Sequence, residues 1–280
     1  MNIFVTYSTP SYFKARNFAG RMAKWLGKFD KIVLYSPDDI DEDFKEKHGD
    51  ILSVKKGAGL WLWKPYCIHK SLCDEARDGD VVFYCDAASF FIRNCNYLIN
   101  TMNNDDIWVS DNNYVEEKYT KEDAFQLLNC TDENFRKTNQ IQAQVIGIRK
   151  SPRSMAFVEE WLKLSTDINV IGPENTKLDS SNCEGFVGHR YDQSILSLLS
   201  KKYKVTPHFS PIASSPTKYK PFYRNGIPVI NREYPCCIVL QHSATIDKKK
   251  SIVLVLKAYL PYSIRELIDK IKYSWCGCSF

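Results

Sequence analysis

Gly79-Asp80-Val81-Val82-Phe83-Tyr84-Cys85-Asp86-Ala87-Ala88-Ser89 is the stretch on which the reading of this chain turns. Val81 to Cys85 is an apolar run of strand length that follows a Gly-Asp turn signal, which predicts a buried strand. It passes directly into an acid and two small residues. In an open α/β sheet the ligand crevice lies beyond the carboxyl ends of the strands, so Asp86 is expected at the mouth of a pocket. Ala87 and Ala88 would let a bulky group lie against the backbone, and a carboxylate oxygen is a hard ligand suited to Mg²⁺ or Mn²⁺. An Asp that merely opens a turn explains this segment equally well, so other segments decide.

Working outward, residues 2–7 read as a first strand, 11–27 as a helix with Phe13, Phe18, Met22 and Trp25 at helical spacing, and Ile32 to Tyr35 as a second strand. That is a βαβ opening. A helix over 64–77, begun by Pro65, leads into the strand at 81–85. A helix over 91–102, a strand Ile107-Trp108-Val109 and a helix capped by Thr120 follow, the last with acidic residues in its first turn. Gln140 to Ile148 alternates like a half-buried strand and is expected to pair antiparallel; a helix runs from Pro152 to Leu164. Residues 165–188 read as a long loop, Tyr191 to Leu199 as a helix, and 238–240 and 252–256 as strands. An amphipathic helix near 262–274 carries Ile264, Leu267, Ile268 and Ile271, a stripe expected to pack on the core. The pattern predicts an α/β fold with a mixed, mostly parallel central sheet flanked by helices and a Rossmann-like first half, in one domain over 1–280.

Composition sets bounds. The 280 residues are 44% hydrophobic and 25% charged, as in soluble globular proteins. The N-terminus shows no basic region followed by a long apolar run, and no window reaches the ~18 apolar residues of a membrane span, so a cytoplasmic protein is expected. A net charge of +5, with acids and bases intermixed, argues against nucleic acid as a partner. Lys201, Lys202, Lys204, Lys218, Lys220 and Lys248 to Lys250 make the last third more basic, either as a solvated face or as a peripheral contact for phosphates or membrane headgroups. Ten cysteines scattered without a secretion signal read as reduced thiols, with Cys73, Cys85 and Cys95 as small core residues. Cys276 and Cys278 beside aromatics in the tail could take a lipid or a metal, or simply fray.

Three further segments carry chemistry. Gly188-His189-Arg190-Tyr191-Asp192-Gln193-Ser194 precedes the apolar spacing of Ile195, Leu196, Leu198 and Leu199. A helix start would hold Asp192 ionised, able to act as a general base, with Gln193 an orienting donor; a simple helix-start Asp is the bland reading. Cys237-Ile238-Val239-Leu240-Gln241-His242-Ser243 is a second strand running into a ligand type, and His242 with a carboxylate could share a divalent ion. In Gly57-Ala58-Gly59-Leu60-Trp61-Leu62-Trp63-Lys64-Pro65 the glycines permit close backbone approach, and Lys64 at a helix start can reach a phosphate or the Asp86 neighbourhood. Neither G-x-x-x-x-G-K-[ST] nor a G-x-G-x-x-G after the first strand occurs, which counts against kinase-like and dehydrogenase readings.

Taken together, Gly59 to Pro65, Tyr84-Cys85-Asp86, Thr120 to Phe125 and Asp192-Gln193-Ser194 resemble the motifs of GT-A-fold glycosyltransferases of the bacterial capsule and lipopolysaccharide type, over roughly residues 2–245. The resemblance implies a nucleotide-sugar-binding half at 1–135, an acceptor and catalytic half at 136–260, and a C-terminal helix and tail at 261–280. It implies transfer from a UDP-sugar to a glycan hydroxyl, with Mn²⁺ or Mg²⁺ held by Asp86 and His242. The family's strand-end motif is usually D-x-D; here Ala88 replaces the second acid. Thr6, Tyr7 and Ser8 match the end of the first strand that lines the uridine site, and Lys64, Asp86, Ala87, Ala88 and Gln193 fall on donor-binding positions. Asp192 matches the catalytic base of inverting members, and Gln142 and the 165–188 loop lie on the acceptor side. Tyr191 stands where many have Glu, and retaining members carry a similar D-Q pair, so a retaining enzyme and a non-catalytic sugar-nucleotide-binding protein stay open as alternatives.

Overall fold

The computed structural model describes residues 1–173, 181–212, 221–235 and 237–241, together with 252, 255, 256, 259, 260 and 264. Strand β1 (Asn2–Tyr7) pairs parallel with β2 (Lys31–Tyr35) on one side and with β3 (Val81–Cys85) on the other. Among the later strands, β4 is Ser89–Phe91, β5 is Ile107–Val115 and β6 is Asn139–Arg149. β6 pairs antiparallel with both β3 and β5, giving the sheet order β2-β1-β3-β6-β5 with only β6 reversed. The sheet is therefore mixed and mostly parallel, as the alternation of strand and helix signals implied.

Period-2 alternation divides each central strand between two cores. Ile3, Val5 and Tyr7 of β1, Val82 and Tyr84 of β3, and Ile146 and Ile148 of β6 face one buried cluster, with residues of the helices Trp63–Asp74, Pro152–Ser165 and Asp192–Lys202. Phe4, Phe83, Cys85 and Val145 face the other, beside the helix Phe13–Trp25. Covered faces explain why β3 is apolar throughout. They also explain why β6 is buried along most of its length rather than half-buried as its alternation suggested. Gly147 of β6 lies between Phe83 and Trp108 on the neighbouring strands; a Cβ there would sit 2.5 Å from the Phe83 ring.

Several expected elements are redrawn. The helix Phe13–Trp25 buries small residues, Ala15, Ala19, Gly20 and Ala23, while Trp25 is 65% exposed. Its close approach to β2 sets this choice, since a Cβ on Gly20 would lie 3.0 Å from Leu34. The expected helix at 91–102 is only Asn96–Ile99; the preceding aromatic run is β4, paired antiparallel with Val239–Gln241. Thr120 does not cap the next helix, Glu122–Leu127: its hydroxyl donates to buried Glu116, and Lys121 takes the cap position. Cys85 and Cys95 are buried, whereas Cys73 is exposed. The 165–188 segment contains a short helix, Ile168–Ile171. Ile252, Val255 and Leu256 are helical, not extended, and Ile264 is exposed rather than packed in the core. Leu267, Ile268, Ile271, Cys276 and Cys278 lie outside the described residues. Among those described, no helix is long and apolar enough to cross a membrane.

Candidate active site

Asp86 is the first residue past β3, at the carboxyl edge of the sheet. Its backbone N–H donates to the Gln144 carbonyl of β6 (3.0 Å), and its Oδ1 accepts from the Tyr84 hydroxyl (2.7 Å). Burial pushes the Tyr84 phenol well up, so it stays a neutral donor. Asp192 opens the helix Asp192–Lys202, whose Ile195, Leu196, Leu198 and Leu199 are fully buried and anchor it on the sheet. Lys64 projects from the first turn of the helix Trp63–Asp74.

These three side chains converge. The Lys64 Nζ lies 3.0 Å from Asp192 Oδ2 and 3.3 Å from Asp86 Oδ1, and it donates to the Ala143 carbonyl at 3.0 Å. The Lys64 and Asp192 side chains are 4% and 5% exposed, against 34% for Asp86. Burial pushes the Asp192 carboxyl up to about 6; Lys64 opposes the rise and Asp86 adds to it. Burial alone would lower Lys64, but the two carboxylates outweigh it and raise its pKa, so the ammonium stays charged.

The approach to Lys64 is unusual backbone. Gly57, Ala58, Gly59, Leu60 and Trp61 all have positive φ, which makes a left-handed turn closed by Leu60 N–H to the Lys56 carbonyl (2.8 Å) and Trp61 N–H to the Gly57 carbonyl (3.4 Å). For Ala58, Leu60 and Trp61 this costs roughly 1–2 kcal/mol each. Glycine is required at its start, where a Cβ would lie 2.3 Å from the Trp61 ring. The turn is locked to the following helix, because Trp63 Nε1 donates to the Gly57 carbonyl at 2.9 Å. It presents Trp61 to two cavities.

The first cavity, about 400 Å³, is lined by Tyr7, Ser8, Tyr12, Lys55, Trp61, Trp63, Ala87 and Ala88, with Asp86 at its edge. Tyr7 stacks on Trp63 with ring centroids 4.1 Å apart. The Ser8 hydroxyl is buried in its wall with no hydrogen-bond partner among the described residues, an atom that a ligand would satisfy. Thr6 is fully buried behind the wall and does not line it. The second cavity, about 490 Å³, shares Trp61 and Asp86 with the first and holds Lys56, Lys64, Asp192 and Gln193. It shares Gln144, Arg190 and Gln193 with a third, polar cavity of about 620 Å³ that adds Asn112, Tyr114, Gln142 and Gln241. Asp86 and Asp192 thus stand between an aromatic recess and an amide-rich one.

Gln193 is tied down rather than free. Its Nε2 donates to Gln140 Oε1 (2.7 Å) and its Oε1 accepts from the Ala143 N–H (3.2 Å). Gln140 in turn donates to fully buried Glu116, which pairs with Lys201 at 2.7 Å. Buried His189 accepts from the Lys121 N–H at Nδ1 (3.3 Å), and its Nε2 meets the Val170 carbonyl (3.1 Å). Burial lowers its pKa to about 3, so it holds the loop before Asp192 as a neutral imidazole.

Among the described residues, the space between Asp86 and Asp192 is not open to a divalent cation. Among the described residues no group of three or more His, Cys, Asp and Glu gathers to hold one. Ala88 offers no second carboxylate at the strand end, and the space between the two acids that do converge is taken by the Lys64 ammonium. His242, the expected partner of Asp86, lies outside the described residues.

Sequence reasoning did not find Arg190 as a lining residue, whose guanidinium lies over the Tyr114 and Tyr119 rings at 4.7 and 4.6 Å. Nor did it find Glu116 or Gln140. Arg190 was within the motif that singled out Asp192, whereas a buried Glu in an otherwise exposed-looking Glu-Glu-Lys run gives no signal.

No protein-family model matches the chain, and no curated protein sequence matches it significantly. Among solved structures it is similar to mouse xyloside xylosyltransferase 1 in its apo form, at 12% identity over 74% of this chain and 84% of that one, with a TM-score of 0.38. It is similar to the bifunctional glycosyltransferase WbbM at 9% identity over 71% of this chain and 37% of that one, with a TM-score of 0.40. It is also similar to the galactosyltransferase LgtC in complex with donor and acceptor sugar analogues, at 14% identity over 95% of this chain and 99% of that one, with a TM-score of 0.41.

Proposed function

We propose that this chain is a glycosyltransferase that moves a sugar from a UDP-sugar to a hydroxyl of a glycan acceptor, with inversion and with Asp192 as general base. The observation that carries the reading is the meeting of Asp86 and Asp192 on Lys64 at the junction of an aromatic cavity and an amide-rich one. The aromatic recess suits a base and ribose, with Ser8 Oγ available to a uracil or ribose polar atom and Ala87 and Ala88 allowing close approach. Asn112, Gln142, Gln144 and Gln241 offer the paired donors and acceptors that sugar hydroxyls need.

In the reaction the acceptor oxygen attacks the anomeric carbon, the bond from that carbon to the diphosphate oxygen breaks, and the acceptor proton passes to the Asp192 carboxylate. A carboxyl near 6 is ionised at neutral pH and is a stronger base than an exposed Asp. Lys64 holds it in one orientation, and the Gln193–Gln140 pair fixes the helix start against β6. The first half of the chain carries the donor site, and the acceptor side is drawn from the second half together with Asn112 and Tyr114 of the first. The free cysteines among the described residues fit a cytoplasmic setting, where nucleotide sugars are made.

Incubation with a panel of UDP-sugars, read by thermal shift and by release of UDP, tests the reading. Stabilisation by at least one UDP-sugar and UDP release that rises with a glycan acceptor is expected. Indifference to every nucleotide sugar would refute it, and binding without transfer to any acceptor would convert it to a carbohydrate-nucleotide-binding protein.

A further inference from the structure

We propose that the donor diphosphate is held by this chain's own ammonium groups, Lys55 and Lys56, with no divalent cation between Asp86 and Asp192, because Lys64 fills the space between those two acids; the proposal rests on the donor assignment above. The Lys64 ammonium donates a hydrogen bond to the Ala143 carbonyl and forms ion pairs with Asp86 Oδ1 and Asp192 Oδ2. Its charge is therefore already shared by two carboxylates, and its side chain is 4% exposed. A dication shared by the same two carboxylates would have to expel a side chain that is 4% exposed. Cation and ammonium cannot share the space, since like charges at van der Waals distance repel strongly away from water.

The charge of the departing diphosphate must then be met elsewhere. Lys55 lines the aromatic cavity and Lys56, its neighbour, lines the cavity that holds Asp192. Both are exposed, and among the described residues neither enters an ion pair. Their position is fixed by backbone: the Lys55 carbonyl accepts from Ala58 N–H (3.2 Å) and the Lys56 carbonyl from Leu60 N–H (2.8 Å), so the left-handed turn closes directly on the lysine pair. Two cations thus flank the Trp61 and Asp86 wall shared by the two cavities, where the diphosphate of a donor reaching from the aromatic recess toward Asp192 would pass. Lys64 keeps the acids from repelling that diphosphate; Lys55 and Lys56 attract it.

Binding of UDP and of uridine, measured calorimetrically in EDTA and again with Mn²⁺ or Mg²⁺ added, tests the proposal. The expected UDP affinity changes by less than about threefold between EDTA and metal, and it falls as salt is raised. The double variant Lys55→Ala/Lys56→Ala should bind UDP roughly tenfold more weakly for each charge-assisted hydrogen bond removed, with uridine affinity and melting temperature unchanged. UDP binding that needs Mn²⁺ or Mg²⁺, or a double variant that binds UDP as the parent does, overturns the cation assignment and leaves the donor assignment standing. Absence of both UDP and uridine binding removes the donor assignment and this proposal with it.

Discussion

Replacing Lys64 by Met keeps most of the side-chain length and removes the charge that Asp192, Asp86 and the Ala143 carbonyl share. Asp192, with a side chain 5% exposed, would be left without its cation and would have to stay as an unpaired buried charge or take up a proton. Breaking a buried pair from one side costs about 3–5 kcal/mol. The loss must depend on pH in a definite direction. The folded carboxyl sits at about 6, above its ordinary value of 3.8, so the stability associated with its proton is fully present below 3.8 and is lost as pH rises through about 6. Lys64 is the largest influence holding that value down, so its removal moves the folded value further up and widens the window in which rising pH destabilises. At pH 8 the variant carries the whole deficit; at pH 5 Asp192 is mostly protonated in both proteins and the deficit shrinks toward that of the missing Asp86 ion pair. Urea unfolding at the two pH values, followed by fluorescence of the six tryptophans, reads both numbers. The double variant Lys64→Met/Asp192→Asn should recover much of the loss at pH 8. A deficit below about 1 kcal/mol at pH 8, or an equal deficit at both pH values, would refute the claim that Lys64 neutralises a buried carboxylate.

Asp192→Asn should lower turnover by roughly 10²–10⁴-fold with donor affinity nearly unchanged, measured as kcat against KM; equal loss of binding would remove its role as base. In the parent enzyme kcat should fall on the acid side with an apparent pKa near 6, and a flat profile from pH 5 to 8 would exclude Asp192 as the titrating base. Gly57→Ala places a Cβ 2.3 Å from the Trp61 ring at a φ of +60°, so it should raise the donor KM several-fold by displacing Trp61; an unchanged KM would detach the turn from the donor site. Gly147→Ala, with its Cβ 2.5 Å from Phe83 in the sheet core, should cost roughly 1–3 kcal/mol in unfolding measurements while leaving kcat per folded molecule intact.

The central sheet was legible because its strands are buried on both faces, which forces unbroken apolar runs at Ile3 to Val5 and Val81 to Cys85. The failures share a cause: each depended on a partner distant in sequence. Phe91 read as the start of a helix because its pairing with Val239 leaves no local mark. Of the large residues of the first helix, Phe18 and Met22 do pack on the core, but Trp25 is exposed and the closest approach, to Leu34, is made by Gly20. At the site, Asp86 and Asp192 were recognisable from their positions at a strand end and a helix start. Lys64 was expected to reach a phosphate or the neighbourhood of Asp86; that it also meets Asp192 was not legible, because a lysine in a first turn points to solvent far more often than to two acids. The left-handed turn announced itself only through Gly57 and Gly59; Ala58, Leu60 and Trp61 carry nothing that marks positive φ.

The energetics of the cleft fit a site kept for chemistry rather than for stability. Three non-glycine residues in a left-handed turn and a buried acid moved from 3.8 to about 6 each oppose folding. Near neutral pH the second effect opposes folding, because the carboxyl gives up a proton that burial favours. Hydrophobic residues at 64 and 192 together, and an ordinary right-handed turn at 57–61, would relieve both. What the strained arrangement provides is one ionised carboxylate of raised basicity, held in a single orientation by a cation that the fold itself supplies. It sits within reach of the Trp61 wall that both cavities share. Relief of the strain and retention of the proposed base are therefore opposed at the same residues, and a stabilising joint replacement of Lys64 and Asp192 is expected to extinguish turnover.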